Sequence, residues 1–143
     1  MEKFVLASSA LAWFLAQVTK IVLFLRKQER MGLVAAFTAT GGMPSSHSAF
    51  VTALAASIFH CSGLSLVFVL SLALAVLTIR DALGVRKTVD HHAHALNGLL
   101  AGQGGQSAVP LLPTNAGHYA HEALCGVVLG LVAVAILAQT PLL

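Results

Sequence analysis

Residues 4–25 read FVLASSALAWFLAQVTKIVLFL, and this stretch decides the class of fold. Only Ser8, Ser9, Gln17, Thr19 and Lys20 interrupt its apolar character. As a helix it would measure about 33 Å, enough to cross the ~30 Å hydrocarbon core of a bilayer. Arg26, Lys27, Glu29 and Arg30 then end it abruptly. Lys3 followed by an apolar run has the look of a secretory signal. The run continues to Leu25, however, beyond the ~7–15 apolar residues of such a signal, so it reads as a retained first span.

The rest of the chain has the same character. Of 143 residues, 57% are hydrophobic and 9% charged, and the mean hydropathy is +0.87. A soluble domain of this length needs a larger charged surface, so the composition predicts an all-α, polytopic membrane protein forming one domain over residues 1–143. Eight Lys/Arg against five Asp/Glu leave a net charge of +3, too small and too scattered for a nucleic-acid footprint. The basic residues read instead as topology signals. Cys61 and Cys125 lie in apolar runs without a CxxC partner and are expected to be buried thiols packing as small hydrophobes.

Four spans are predicted, at about residues 4–25, 44–61, 64–80 and 118–137, with a polar cytoplasmic loop over 81–117. The second is short, so it either recruits the turn before it or is partly re-entrant. Within the polar loop, Thr88 to Leu100 carries His91, His92, His94 and Asn97 and reads as an interfacial helix. The Gly/Gln/Pro-rich stretch 101–116 reads as a loop. Arg26, Lys27 and Arg30 fall in one loop and Arg80, Arg86 and Lys87 in another, whereas the loop near Gly63 has no charge. The positive-inside rule puts both basic loops in the cytoplasm and both termini outside, with Lys3 dissenting.

This topology gathers ionisable residues at one membrane boundary. Lys20 and Arg26 end the first span, His47 begins the second, Asp81 ends the third with Arg86 just beyond, and His118 begins the fourth with Glu122 one turn on. Ionisable residues at such depths are costly and default to functional hypotheses. For Lys27, Arg30 and Lys87 a topological role suffices. The sharpest local signal is Gly41-Gly42-Met43-Pro44-Ser45-Ser46-His47-Ser48: a turn opening into a helix, which offers N–H groups, hydroxyls and an imidazole to one anion. Capping alone needs one serine, not this whole constellation. His118 and Glu122 are four apart and share a helix face, so the carboxylate can hold the imidazole in one tautomer. His91, His92 and His94 fall mostly on different faces, and no metal site is expected from them.

These residues resemble a known pattern. Pro44-Ser45-Ser46-His47 is similar to the Pro-Ser-Gly-His motif of the type 2 phosphatidic acid phosphatase and vanadium haloperoxidase superfamily, and His118-x3-Glu122 to its closing His-x3-Asp. GGMPSSHSA (41–49), RDALGVRK (80–87), Leu96-Asn97 and GHYAHEALCGVVLG (117–130) more closely resemble its divergent membrane branch, the acid phosphatase/vanadium-dependent haloperoxidase-related proteins. The likeness covers roughly Gln17 to Gly130.

The resemblance implies a membrane phosphatase acting on a lipid phosphate or diphosphate, without metal or cofactor. His118 would be the nucleophile, Glu122 its orienting partner and His47 the general acid. Ser45 and Ser46 would hold phosphate oxygens and Lys20 would neutralise phosphate charge; Gly42, Arg26, Asp81 and Arg86 join the candidate headgroup site by their own positions rather than by the resemblance. Four positions depart from the superfamily pattern: Leu112 stands where arginine precedes the nucleophilic histidine by six, Ser46 replaces glycine, Glu122 replaces aspartate, and the Arg-Pro of the first motif is absent. Arg86, fixed by Asp81 in a bidentate pair, would supply the missing guanidinium. The competing reading is a degenerate relative that binds an anionic lipid or a protein partner without turnover. A haloperoxidase is disfavoured by the membrane setting, and a transporter by the lack of a visible internal repeat. The expected partners are the bilayer and a phosphorylated lipid, and a homodimer would cover a polar site that so small a bundle leaves open.

Overall fold

The computed structural model describes residues 1–26, 41–102, 110–114 and 116–140. The described residues form five helices and no strand: α1 (Glu2–Arg26), α2 (Ser46–Ser62), α3 (Leu66–Leu83), α4 (Val85–Gly102) and α5 (Ala120–Ala138). The basic loop residues Lys27 and Arg30, and most of the Gly/Gln-rich loop, lie outside the described residues.

Local chemistry sets the helix ends. Ser45 caps α2, its Oγ accepting from Ser48 N at 3.3 Å, and Ser65 caps α3 by accepting from Phe68 N at 3.2 Å. Between them Gly63 takes φ +60° and donates its N–H to Phe59 O, closing α2 in a conformation other residues resist. That compact turn sends α3 back antiparallel to α2.

The bundle is a helical membrane protein. α1, the run Leu66–Gly102 and α5 are long and apolar enough to cross a bilayer. That run is too long for one crossing, at 37 residues or about 55 Å. Its apolar part is α3, and Gly84 separates it from the more polar α4. α3 shows its leucines outward, Leu66 at 75% and Leu77 at 65% exposure, as a lipid-facing helix does. α2 has 17 residues, about 26 Å, and occupies the centre against α1, α3 and α5.

The interior is made of small side chains. Ala12, Ala16, Ala49, Ala53 and Ala133 form the core with Phe4 and Val134, and Ser8, Ser9 and Ser57 are buried beside them. Ser8 and Ser9 return their hydroxyl protons to Phe4 O and Val5 O, so neither hydroxyl is stranded in the bilayer. Lipid tails are as apolar as leucine, so helices in a bilayer associate through close packing rather than hydrophobic transfer. α5 takes this furthest. A Cβ at Gly126 would collide with Ser45 O, and one at Gly130 would stand 2.6 Å from Ala49 O.

The two cysteines differ from each other. Cys125 is half-buried, but Cys61 is exposed at the end of α2, contrary to expectation. A short α2 ends before its last turn is covered. At this same end Phe4 of α1 packs against His60, ring centroids 5.4 Å apart.

Gly126→Ala is expected to wedge α5 from α2 and cost about 1–3 kcal/mol, the range of an overpacked core. Thermal unfolding in detergent checks it, with Ala135→Gly on the exposed face of α5 as the comparison.

Candidate functional site

The alternation of helix directions brings the C-terminal ends of α1 and α3 beside the N-terminal ends of α2 and α5. Two backbone bonds lock this end: Ser45 N donates to Glu122 O at 3.1 Å, and His118 N donates to Ala82 O at 3.0 Å. The first ties the turn before α2 to α5, and the second ties the residues before α5 to α3.

His118 lies at the centre with 2% of its surface exposed. Its Nδ1 is 3.1 Å from Glu122 Oε2. The same oxygen accepts the N–H of Tyr119 at 3.0 Å, so Glu122 reaches back to the helix start as the acidic half of a capping box. A carboxylate only accepts, so Nδ1 carries the proton, and in the neutral ring the lone pair lies on Nε2. One side chain thereby begins α5 and fixes the imidazole.

His47, in the first turn of α2, is half-buried, and its electrostatic neighbours are Arg86, His118, Lys20 and Asp81. Lys20 is buried within α1 at 6% exposure and feels the charge of Glu122. Asp81 and Arg86, across the Gly84 break, pair through Nε and Oδ2 at 2.6 Å and are each about 40% exposed. Ser46 is the buried first residue of α2. The N–H groups of Ser46 and His47 lack intrahelical acceptors, as at any helix start. Two imidazoles, an ammonium, a guanidinium and a helix N-terminus thus surround one point, with Glu122 and Asp81 balancing the cations.

The expected residues divide into those gathered and those apart. Lys20, Ser45, Ser46, His47, Asp81, Arg86, His118 and Glu122 come together. Arg26 is exposed at the end of α1, about 9 Å beyond Lys20 along the axis. Gly42 is exposed at φ +89° in the bend preceding α2. Ser45 is fully buried and its Oγ takes both the N–H and the hydroxyl of Ser48, so capping engages it.

Sequence reasoning misses Asp90 and the work of Asn97. Asp90, 3% exposed, accepts Ala116 N on Oδ1 at 2.7 Å and Gly117 N on Oδ2 at 2.9 Å. Asn97 binds the backbone of Leu112 twice, Nδ2 to its carbonyl and Oδ1 to its N–H, both at 2.9 Å. The signal that could have found them is periodicity: Arg86, Asp90, Ala93 and Asn97 repeat at helical spacing on one face of α4. Val85, Val89, Leu96 and Leu99 are exposed on another, and His91, His92 and His94 are exposed as well. Lys87 adds a cation over the Tyr119 ring, 3.7 Å from its centroid.

Residues 1–133 match the Divergent PAP2 family. The chain belongs to this family. A relative, "Uncharacterized membrane protein YuiD" of Bacillus subtilis (strain 168), is 41% identical over 103 residues, which is 70% of this chain and 63% of the relative. The chain therefore matches less than two thirds of that relative's length. No solved structure matches.

Glu122→Ala removes both the cap and the imidazole's partner and is expected to cost about 1 kcal/mol in stability. Glu122→Gln keeps an acceptor for Tyr119 N and costs less. Nitrogen NMR of His118 checks the site directly: Nδ1 is protonated in the wild type, and the tautomers mix in both variants.

Proposed function

We propose that this protein is a membrane phosphatase that hydrolyses a lipid phosphate or diphosphate through a phosphohistidine on His118, at the cytoplasmic face. The observation that carries the reading is the pairing of His118 Nδ1 with Glu122, which leaves Nε2 nucleophilic beside His47 and Lys20. Membership of the Divergent PAP2 family supports it.

In the first step Nε2 of His118 attacks phosphorus. The bond from phosphorus to the leaving oxygen breaks as protonated His47 gives that oxygen its proton. In the second step neutral His47 takes a proton from water, the oxygen of that water attacks phosphorus, and the Nε2–P bond breaks to release phosphate. Lys20, Arg86 and the N–H groups of Ser46 and His47 stabilise the equatorial oxygens, and this preorganised charge supplies most of the acceleration. Lys20 and Arg86 are already balanced by Glu122 and Asp81. Protonated His47 therefore adds positive charge that a bound phosphate can use.

A second reading is an anion-binding membrane protein without turnover, and a specific observation favours it. Leu112 occupies the arginine position, and Asn97 holds that residue by backbone alone. The two readings part on Arg86, which in the hydrolase takes over the guanidinium's work from α4.

Purified protein in detergent, assayed for phosphate release over a panel of lipid phosphates, decides between them. Hydrolysis is expected to be abolished in His118→Ala and reduced at least about a hundredfold in His47→Ala. Release persisting in His118→Ala removes the phosphohistidine; binding of the lipids without release in the wild type establishes the second reading. Arg86→Lys is expected to lose most activity and Leu112→Ala little, and equal effects would exclude Arg86 as the substitute.

A further inference from the structure

We propose that Asp90 is the positioning residue for His118, and that the inner face of α4 thereby forms one wall of the site. The inference rests on the proposed role of His118 but stands on its own geometry.

Helix α4 packs against α3 and not against α5 among the described helices. The chain leading to His118 nevertheless runs along it. Asp90 holds the two peptide N–H groups immediately before His118, across 26 and 27 residues of sequence, and Asn97 holds Leu112 six residues before it. Gly117 makes the approach possible, since a Cβ there would stand 2.6 Å from the Cα and N of Lys87. With His118 N on Ala82 O, three consecutive peptide groups are fixed just as the imidazole emerges.

A carboxylate is the group suited to this work. It presents two acceptors to two parallel donors, and its charge strengthens both bonds in a buried setting. An asparagine of the same shape offers one acceptor and turns an N–H toward the other N–H. A helix buries an acidic residue at such cost only against fixed partners. The partners here are the backbone of the proposed nucleophile. Displacement of a reacting atom by about 1 Å costs on the order of a hundredfold in rate, so a turn held on two bonds is where that tolerance would be set.

The test uses orthovanadate, which adopts the five-coordinate shape of transferring phosphate and needs a correctly placed Nε2, alongside phosphate release from lipid phosphates. Asp90→Asn is expected to bind orthovanadate at least about tenfold more weakly and to lose kcat with KM little changed. Thr88→Ala, whose hydroxyl returns to Gly84 O on the same helix, is expected to match the wild type. Asn97→Ala, further from His118, is expected to give a smaller loss in the same direction. It keeps the proposal testable if Asp90→Asn does not fold.

Wild-type affinity and kcat in folded Asp90→Asn, or in Asn97→Ala if Asp90→Asn does not fold, would overturn the positioning role and leave the phosphatase reading intact. Orthovanadate binding that depends on both His118 and Asp90, with no phosphate released by the wild type, would support the positioning role and remove the phosphatase. A wild type that neither binds orthovanadate nor releases phosphate would overturn both.

Discussion

The approach of α5 to α2 is the contact on which the rest depends. Two glycines one turn apart, Gly126 and Gly130, let the backbone of one helix rest on Ser45, Ala49 and Ala53 of the other. This is the packing a bilayer rewards, because dispersion between closely fitted surfaces replaces the missing hydrophobic drive. Its geometric product is the bond from Ser45 N to Glu122 O. The start of α2 and the start of α5 are brought to one point, and with them His47 and His118. Neither helix needs a charged side chain to hold this position, so the charges at the site can serve a ligand.

Glu122 shows how a site and a fold come to share one residue. Its carbonyl joins the two helices, one carboxylate oxygen caps α5, and that same oxygen orients His118. Lys20 is placed by a different logic. It lies inside an apolar helix about 9 Å short of the end, at a depth where an ammonium is costly without anionic company, and the Glu122 charge supplies it.

The membrane helices are legible in sequence because apolar runs of bilayer length rarely serve any purpose but spanning, and α1, α3 and α5 follow from that signal. Convergence of Lys20, His47, Asp81, His118 and Glu122 is legible too, since an odd or even number of crossings decides which helix ends meet. Ser45 reads as a phosphate ligand because a serine before a helix serves equally as ligand or cap; only the distance to Ser48 separates the two. Arg26 looks equivalent to Lys20 by position in the run, and a few helical residues put it outside the cluster. Asp90 and Asn97 are hidden for another reason. Their partners are backbone groups 26 and 15 residues away, and a peptide N–H has no residue type by which a sequence can announce it. Three conspicuous histidines on the same helix draw attention to the wrong faces.

The manner in which α4 is attached has a consequence for how the molecule fluctuates. Its helix packing is to α3 alone among the described helices, while hydrogen bonds from Asp90 and Asn97, the Arg86–Asp81 pair and Lys87 over Tyr119 tie it further. Such an element is a separate cooperative unit, able to open at a free energy below that of the α1–α2–α5 core. Amide hydrogens of Ala116 and Gly117 would then exchange with solvent together with those of α4, ahead of the core. Exchange at these two amides therefore reports how often the turn before His118 is released from Asp90.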